Sequence, residues 1–259
     1  MIAALILLLP LAWVGEFPPL HRAERSEVDR LLRDERWAAL DHEEKLLALA
    51  RLRVGTPYAL GCLGEEAEPD RDPLFRLDRA DCTVLVVTNA ALLRARSLDD
   101  ARARIRSVHY RDEIPSYASR FHFTADRIVS SPFFADITRD AAPDSLLRLV
   151  RVLLNRKASG EALLPIPWER EMEMRYLPTA RVTEEVLDRL PRACGVAFLA
   201  EKNIPNGFLV SHEGIVLGRR VLHHASSEAG EVVEVPLLSY LKRPSGADRF
   251  DGVLFYAFR

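Results

Sequence analysis

The segment from Cys82 to Arg94 is nearly all apolar, and it constrains the fold more than any other part of the chain. Because the segment has no polar stripe, a helix formed by it cannot leave one face in water. We therefore expect a helix that is buried on all sides, with the rest of the chain packed around it. Asp81, directly before the segment, is a residue type that caps a helix start by accepting a backbone N–H.

Composition and charge describe an ordinary globular protein. The chain has 259 residues, of which 48% are hydrophobic and 29% charged. Such a chain can form a sizeable hydrophobic core without disulfide bonds. The net charge of -2 makes nucleic acid an unexpected partner. Three cysteines (Cys62, Cys82 and Cys194) cannot all pair within one chain, which predicts at least one free thiol.

The N-terminus carries a second apolar run, from Ile2 to Val14. The run is too short for a comfortable membrane span and is typical of the apolar part of a secretory signal. No Lys or Arg precedes it and no A-x-A site follows it, so a buried strand or helix and a misassigned start are alternatives. We expect residues 1–20 to be an export segment and 21–259 a single domain. That predicts a periplasmic or secreted protein rather than a cytoplasmic one.

The order of secondary structure predicts the fold class. Asp41 and Glu44 form a capping box that opens a helix ending at about Arg53. Residues 109–140 have little periodicity and are typical of a long loop region that contains short helices. In the last third, short strands are predicted at Gly195–Ala200, Phe208–Leu217, Val221–Ala225, Glu231–Val235 and Val253–Phe258. Helices first and strands later indicate an α+β domain with an antiparallel sheet.

Cys82 is the first candidate for chemistry. Most free cysteines are small buried hydrophobes, and that interpretation remains open. Cys82, however, stands at the start of the helix, where unpaired backbone N–H groups can hold an oxyanion. A helix start and a nearby imidazole also favour the thiolate, which is the attacking form.

Three histidines in the strand region are candidates for the imidazole. Strand alternation places His212 on the same face as Val210, Gly214 and Val216. A turn at Gly218–Arg220 brings the next strand back beside it, with His223 and His224 on opposite faces. Only one of that pair can therefore orient His212. A metal site is the competing interpretation, but the close spacings of a structural zinc site are absent.

Taken together, these motifs resemble those of the NlpC-type cell-wall hydrolases, which are papain-like bacterial cysteine peptidases and amidases. The branch most similar is the N-acetylmuramoyl-L-alanine amidase-like one, and the resemblance runs from about residue 40 to the C-terminus. His212 follows Cys82 by about 130 residues, within the range of about 130–150 in papain-type sequences. The matching motifs are Gly55-Thr56-Pro57-Tyr58, Asp81-Cys82-Thr83, Ser211-His212-x-Gly214-Ile215, His224-Ala225-Ser226, Tyr117-x-Ser119-Arg120-Phe121-His122-Phe123 and Tyr176-Leu177-Pro178.

The resemblance implies a papain-like fold in which the nucleophile at a helix start packs on a C-terminal antiparallel sheet. It implies Cys82 as nucleophile, His212 as general base and acid, and His224 as the orienting residue. It implies a peptidoglycan or muropeptide substrate, no metal or cofactor, no stable membrane span, and a monomer. The residues it associates with substrate are Tyr58, Asp81, Thr83, Arg120, His122 and Ser211, although a structural salt bridge is an equally good interpretation of Arg120.

Two further functions remain open. An acyltransferase or deamidase on the same fold would pass the thioester to an acceptor other than water, and an inactive binding module would have lost a catalytic group. The complete set of Cys82, His212 and His224 argues against the inactive module. The sequence departs from the family pattern at Gly61-Cys62, Cys194-Gly195 and Glu213, which leaves open whether the bond cut joins the sugar lactyl group to L-Ala or lies within the stem peptide.

Overall fold

The predicted central helix, α4, spans Cys82–Leu93 in the computed structural model, which describes residues 9–259. Every residue from Val84 to Leu93 is buried, as the absence of a polar stripe requires. The Asp81 carboxylate caps the helix by accepting the N–H of Val84 at 2.8 Å. The other α-helices are α1 (Arg25–Arg33), α2 (Glu35–Ala39), α3 (His42–Arg53), α5 (Leu98–His109), α6 (Thr124–Ser130), α7 (Thr138–Ala141), α8 (Glu184–Asp188) and α9 (Leu237–Tyr240).

An antiparallel sheet forms the second layer. Its strands are β1 (Phe134–Asp136), β2 (Arg148–Leu154), β3 (Arg170–Pro178), β4 (Ala193–Leu199), β5 (Val210–Leu217), β6 (Val221–Ser226), β7 (Glu231–Pro236) and β8 (Gly252–Phe258). Their order is β2-β3-β8-β4-β5-β6-β7, with β1 paired to β8. The chain is therefore a mixed α+β protein with helices and an antiparallel sheet, as predicted. Short 3-10 helices lie at Leu9–Glu16, Arg111–Glu113, Asp144–Leu146, Thr179–Arg181 and Glu201–Asn206.

The two faces of the sheet carry separate cores. On one face, side chains such as Ala197, Ile215 and Leu254 pack with the buried residues of α4 and the N-terminal helices. On the other face, Phe198 and Leu222 pack with other apolar side chains, including those of α9. Because successive strand residues alternate faces, the neighbours of a site residue depend on its register in the strand.

The sequence patterns predicted no strand in the charged stretch of residues 148–178, where the structure has β2 and β3. They pair as a hairpin, with Val150 opposite Met174 and Val152 opposite Met172. Their buried residues alternate with exposed Arg and Glu. The predicted loop region of residues 109–140 also contains α6 and β1, because tertiary contacts order segments that have little periodicity of their own.

The expected export segment lies partly outside the described residues, which begin at Leu9. Within the rest of it, Leu11, Val14, Phe17 and Leu20 are buried in the helix-side core. The backbone N–H of Leu20 donates to the Leu52 carbonyl at 2.8 Å, which joins this segment to α3. None of the helices in residues 9–259 has the length and apolarity that a membrane crossing requires.

We predict that Leu20→Ala lowers the free energy of unfolding by about 2–5 kcal/mol, the range for deletion of a buried leucine side chain. Leu20 is 3% exposed. The matched control is Leu60→Ala, since Leu60 is 81% exposed and its truncation should change stability by no more than about 0.5 kcal/mol. Urea unfolding measures both values, and equal losses would contradict the packing of this segment on the core.

Candidate active site

Cys82 is the first residue of α4, and its side chain is a partly exposed free thiol. Its sulfur interacts with the backbone N–H of Glu213 in β5 and with the side chain of Thr83. The capping carboxylate of Asp81 also accepts the N–H of Gly61 at 2.9 Å. The helix start is thereby joined to the loop before it, and the thiol lies against the strand that carries His212.

The rings of His212 and His224 form a hydrogen-bonded pair. Nε2 of His212 lies 2.9 Å from Nδ1 of His224, and the rings meet edge to face. Gly214 lies beside His224 on the neighbouring strand, and the absence of a side chain at Gly214 lets the two imidazole rings approach each other. A Cβ at this position would lie 2.8 Å from a Leu222 methyl and 3.0 Å from the His224 Cβ. The strand register thus places His224 beside His212, and His223 lies opposite Ile215 on the other face.

A β-bulge at Ser211 sets the direction of His212. Phe198 pairs with His212 but Leu199 pairs with Val210, so Ser211 is the additional residue. The expectation that Val210 shares a face with His212 is wrong, because the bulge breaks the alternation. Val210 packs with the helix-side core, whereas the His212 ring stacks on Phe198 of the opposite core, with centroids 5.7 Å apart.

Burial sets the ionisation of the site. Burial, the neighbouring His224 and Arg249 lower the pKa of His212 to about 3, and burial, His223 and Arg249 lower that of His224 to about 4. Burial, then the charges of Glu213 and Asp81, raise the pKa of the Cys82 thiol to about 12. This direction is opposite to the expectation for a thiol at a helix start, because desolvation and two carboxylates outweigh the helix terminus. The unliganded site therefore holds a neutral thiol and neutral imidazoles.

Glu213 is the site residue that sequence reasoning missed. It is fully buried and forms an ion pair with Arg127, which is also fully buried. Its carboxylate further accepts the hydroxyls of Tyr256 at 2.8 Å, Thr83 at 2.9 Å and Thr124 at 3.1 Å. The departure from an apolar residue after His212 was the available signal, since a buried carboxylate requires partners. The network joins the first turn of α4 to β5 and β8.

A pocket of about 260 Å³ opens beside the thiol. Its polar wall includes Thr83, His122 and Ser211, three of the predicted substrate residues. Nε2 of His122 lies 2.6 Å from the Tyr117 carbonyl, to which it must donate, so Nδ1 remains an acceptor. The rest of the wall is mainly apolar and includes Leu154, Leu163 and Phe208.

The other predicted substrate residues have structural partners. Arg120 is bound by Glu65 and, at 2.9 Å, by Asp70, so it holds the loop before Cys82 in place. Asp81 is occupied by the two backbone N–H groups. Tyr58 is partly exposed, and burial, followed by the proximity of Cys82 and Asp81, raises the pKa of its hydroxyl. Substrate contact by these three side chains stays a prediction.

The remaining thiols and carboxylates form no alternative centre. Cys62 and Cys194 are buried, and burial raises the pKa of Cys62 to about 11 and that of Cys194 further. No group of three or more His, Cys, Asp or Glu side chains in the described part of the chain is arranged to hold a metal ion. Cys82 is therefore the thiol with access to a pocket.

Residues 48–247 match the profile of the AmiA-like family, described as N-acetylmuramoyl-L-alanine amidase-like, and the chain belongs to that family. A search of curated proteins found no match.

Solved structures share the fold. A Legionella pneumophila protein of the DUF1460 family superposes with a TM-score of 0.75 at 20% identity, covering 90% of this chain and 94% of that one. An N-acetylmuramoyl-L-alanine amidase from Bacteroides uniformis superposes with a TM-score of 0.66 at 23% identity, covering 84% and 99%.

We predict that the alkylation rate of Cys82 by iodoacetamide rises about tenfold per pH unit from pH 7 to pH 10, whereas the rate of an ordinary thiol, with a pKa near 8.5, levels off above about pH 9.5. Glu213→Gln should accelerate labelling at pH 8 by at least about tenfold, because loss of its charge lowers the thiol pKa and one pKa unit is a tenfold change in thiolate. Mass spectrometry of the labelled peptide measures both rates.

The matched control is Glu173→Gln, since Glu173 forms an exposed ion pair with Arg151 at 2.8 Å, away from the pocket. Circular dichroism verifies that each variant is folded. A wild-type plateau below pH 7, or an unchanged curve in folded Glu213→Gln, would contradict the carboxylate control of the thiol.

Proposed function

We propose that this chain is a cysteine amidase that hydrolyses an amide bond of peptidoglycan, with the papain-like arrangement of the NlpC-type hydrolases. The observation that carries the proposal is the His212–His224 hydrogen bond on the strand whose backbone contacts the Cys82 sulfur. Family membership supports the reaction class, and the name of the B. uniformis neighbour supports peptidoglycan as substrate.

The first step forms a thioester. His212 carries its ring proton on Nε2, and this N–H donates a hydrogen bond to Nδ1 of His224. Nδ1 of His212 is therefore free to accept the thiol proton. As that proton leaves, the Cys82 sulfur attacks the amide carbonyl carbon, and the carbonyl electron pair moves to oxygen. The Cys82 N–H at the helix start stabilises this oxyanion. When the oxyanion collapses, the C–N bond breaks and the leaving nitrogen takes the proton from His212.

The second step releases the acyl group. His212 removes a proton from water as the water oxygen attacks the thioester carbonyl. The C–S bond then breaks, and the thiolate recovers the proton from His212. The products are a carboxylic acid and an amine, and both catalytic side chains return to their neutral forms. Only protein groups and water take part in these steps.

The pKa directions favour general-base catalysis over a preformed ion pair. The thiol is a weaker acid, and the imidazole a weaker base, than in water, so proton transfer proceeds together with attack on the carbonyl. Because the pKa values of both histidines are lowered, the base stays neutral well below pH 6.5. Activity should accordingly persist in mild acid and fall only as the pH passes through the lowered pKa values.

The family description favours the bond between the sugar lactyl group and L-Ala as the one that is cut. The mainly apolar pocket at Cys82 suits a small acyl group that carries a methyl. With such a substrate we propose that the protein acts in the cell envelope, and N-terminal sequencing of protein recovered from the envelope tests this location. Cleavage of a leader before Leu11 would keep the packed segment intact, whereas cleavage near Gly15 would remove Leu11 and Val14.

We predict that purified peptidoglycan incubated with the protein releases peptides beginning with free L-Ala, and that Cys82→Ala releases none. Mass spectrometry of the fragments identifies the bond. Cys82→Ala should fold normally because a helix start tolerates a small residue. Cleavage by this variant at the wild-type rate would reject the cysteine mechanism, and fragments cut within the stem would identify an endopeptidase. Fragments transferred to an added amine would instead identify an acyltransferase.

The two adjacent histidines provide a matched test of the orienting role. His224→Ala should lower kcat by about two to four orders of magnitude, the range for loss of general acid–base catalysis. His224→Asn should retain more activity, because its amide oxygen can still accept the N–H of His212. His223→Asn should mainly lower stability, since His223 is fully buried on the opposite face. Equal kcat losses in folded His224→Asn and His223→Asn would contradict the assignment.

A further inference from the structure

An arginine without a carboxylate partner lies beside the histidine pair. The guanidinium of Arg249 lies 4.6 Å from the ring centroid of Tyr240. The Tyr240 ring lies 4.7 Å from that of His224 and 5.9 Å from that of His212. Among the ion pairs formed by residues 9–259, none includes Arg249. A partly buried cation, hydrogen-bonded to the Tyr240 side chain, therefore stands one aromatic ring away from the proposed base.

Arg249 also borders a cleft of about 480 Å³ whose walls carry four basic side chains. Arg148, Lys202 and Arg243 share these walls with two acids. Both acids are already engaged: Asp248 with Lys242, and Asp251 with the Glu201 N–H at 2.7 Å. Arg148 pairs with Glu201 at 3.7 Å, so Lys202, Arg243 and Arg249 stand against the charge of Asp251, and this excess of positive charge attracts an anionic ligand.

This cleft and the pocket at Cys82 lie on opposite sides of the end of β5. The pocket is on the helix-side face, with Val210 and Leu154 in its wall. Tyr240 and Phe250, by contrast, pack on the other face with Phe198, on which the His212 ring stacks. A substrate bound with its acyl group in the pocket and its leaving group toward the cleft would extend along the side of β5 that carries His212.

The direction of proton transfer decides which part of the substrate lies on the Arg249 side. His212 gives its proton to the leaving nitrogen, so the leaving group must lie beside its ring, while the acyl group stays with the sulfur. For an amide of peptidoglycan, the leaving group is a peptide whose amine is released and whose carboxylates remain. Those carboxylates are the anions that would reach the basic cleft.

We propose that Arg249, with Lys202 and Arg243 further out, binds a carboxylate of the leaving peptide and so determines specificity for acidic stem peptides. The proposal rests on the proposed function. Arginine suits this role because its planar guanidinium binds a carboxylate through two parallel N–H groups. The charge of Arg249 also lowers the pKa of both His212 and His224, which gives the residue a second, independent readout.

The kinetic test uses two muropeptides that differ only in whether the stem carboxylates are free or amidated. Wild-type protein should cleave the free form with the higher kcat/KM. Arg249→Gln should lower kcat/KM for the free form by about tenfold to a hundredfold, mainly through KM, the range for loss of a hydrogen bond to a charged group. It should change cleavage of the amidated form little. The acid limb of its kcat/KM profile should move to higher pH, because removing a cation raises the imidazole pKa.

Arg96→Gln is the matched control, since Arg96 is exposed beyond the opposite end of α4. It should leave both substrates and the pH profile unchanged. An equal loss on both muropeptides, or no loss on either, in folded Arg249→Gln would overturn the proposal.

A binding experiment separates this proposal from the catalytic one. Calorimetry of the Cys82→Ala variant with the dipeptide L-Ala-D-Glu and with its diamide needs no turnover. Tighter binding of the dicarboxylate, lost when Arg249→Gln is added, supports the cleft even if no muropeptide is cleaved. Equal binding of the two peptides would overturn the proposal that the cleft binds a carboxylate. Selective binding without any cleavage of muropeptides would overturn the proposed amidase function alone.

Discussion

The buried ion pair between Glu213 and Arg127 fixes the relation between the two layers of the protein. A helix that is apolar on all sides can slide or rotate against a sheet without losing much buried area, so apolar packing alone specifies its position weakly. The carboxylate of Glu213 removes that freedom, because it needs Arg127, Tyr256 and the hydroxyl of Thr83 at once. Breaking such a pair by removing one partner costs about 3–5 kcal/mol, since the other charge stays buried.

The same network has a chemical consequence for the adjacent thiol. Thr83 follows Cys82 directly, and the backbone N–H of Glu213 meets the sulfur, so the residue that positions the thiol also brings a negative charge close to it. The negative charge of Glu213 keeps the Cys82 thiol in its neutral form when no substrate is bound. A neutral thiol is protected from oxidants and from stray electrophiles, because the thiolate is the reactive species. In the proposed mechanism, activation then depends on the imidazole and on a carbonyl presented at the helix start.

Much of this arrangement was predictable because it follows from local patterns. The apolar run after Asp81 predicted a buried capped helix, and alternation predicted the strands of the last third. Alternation also indicated that only one of His223 and His224 can face His212, while the choice of His224 came from the family resemblance. The hairpin of β2 and β3 was missed because its outward charges, such as Glu171 and Glu173, conceal a period of two in Val and Met. The bulge at Ser211 and the partners of Glu213 depend on contacts between distant segments, which no local pattern contains.

The bulge and the network act on the two sides of one strand, which lets a single strand serve both halves of the proposed reaction. Regular alternation would place His212 and Val210 on one face, whereas the proposed mechanism needs a wall for the acyl group on the helix side and a proton donor toward the leaving group. The additional residue at Ser211 places Val210 in the pocket wall and His212 against Phe198 and Tyr240. Glu213 then faces α4 and holds its first turn through Thr83. The two sides of β5 accordingly differ in chemical character: a mainly apolar pocket lies at the Cys82 sulfur, and basic side chains lie beyond the His212 imidazole.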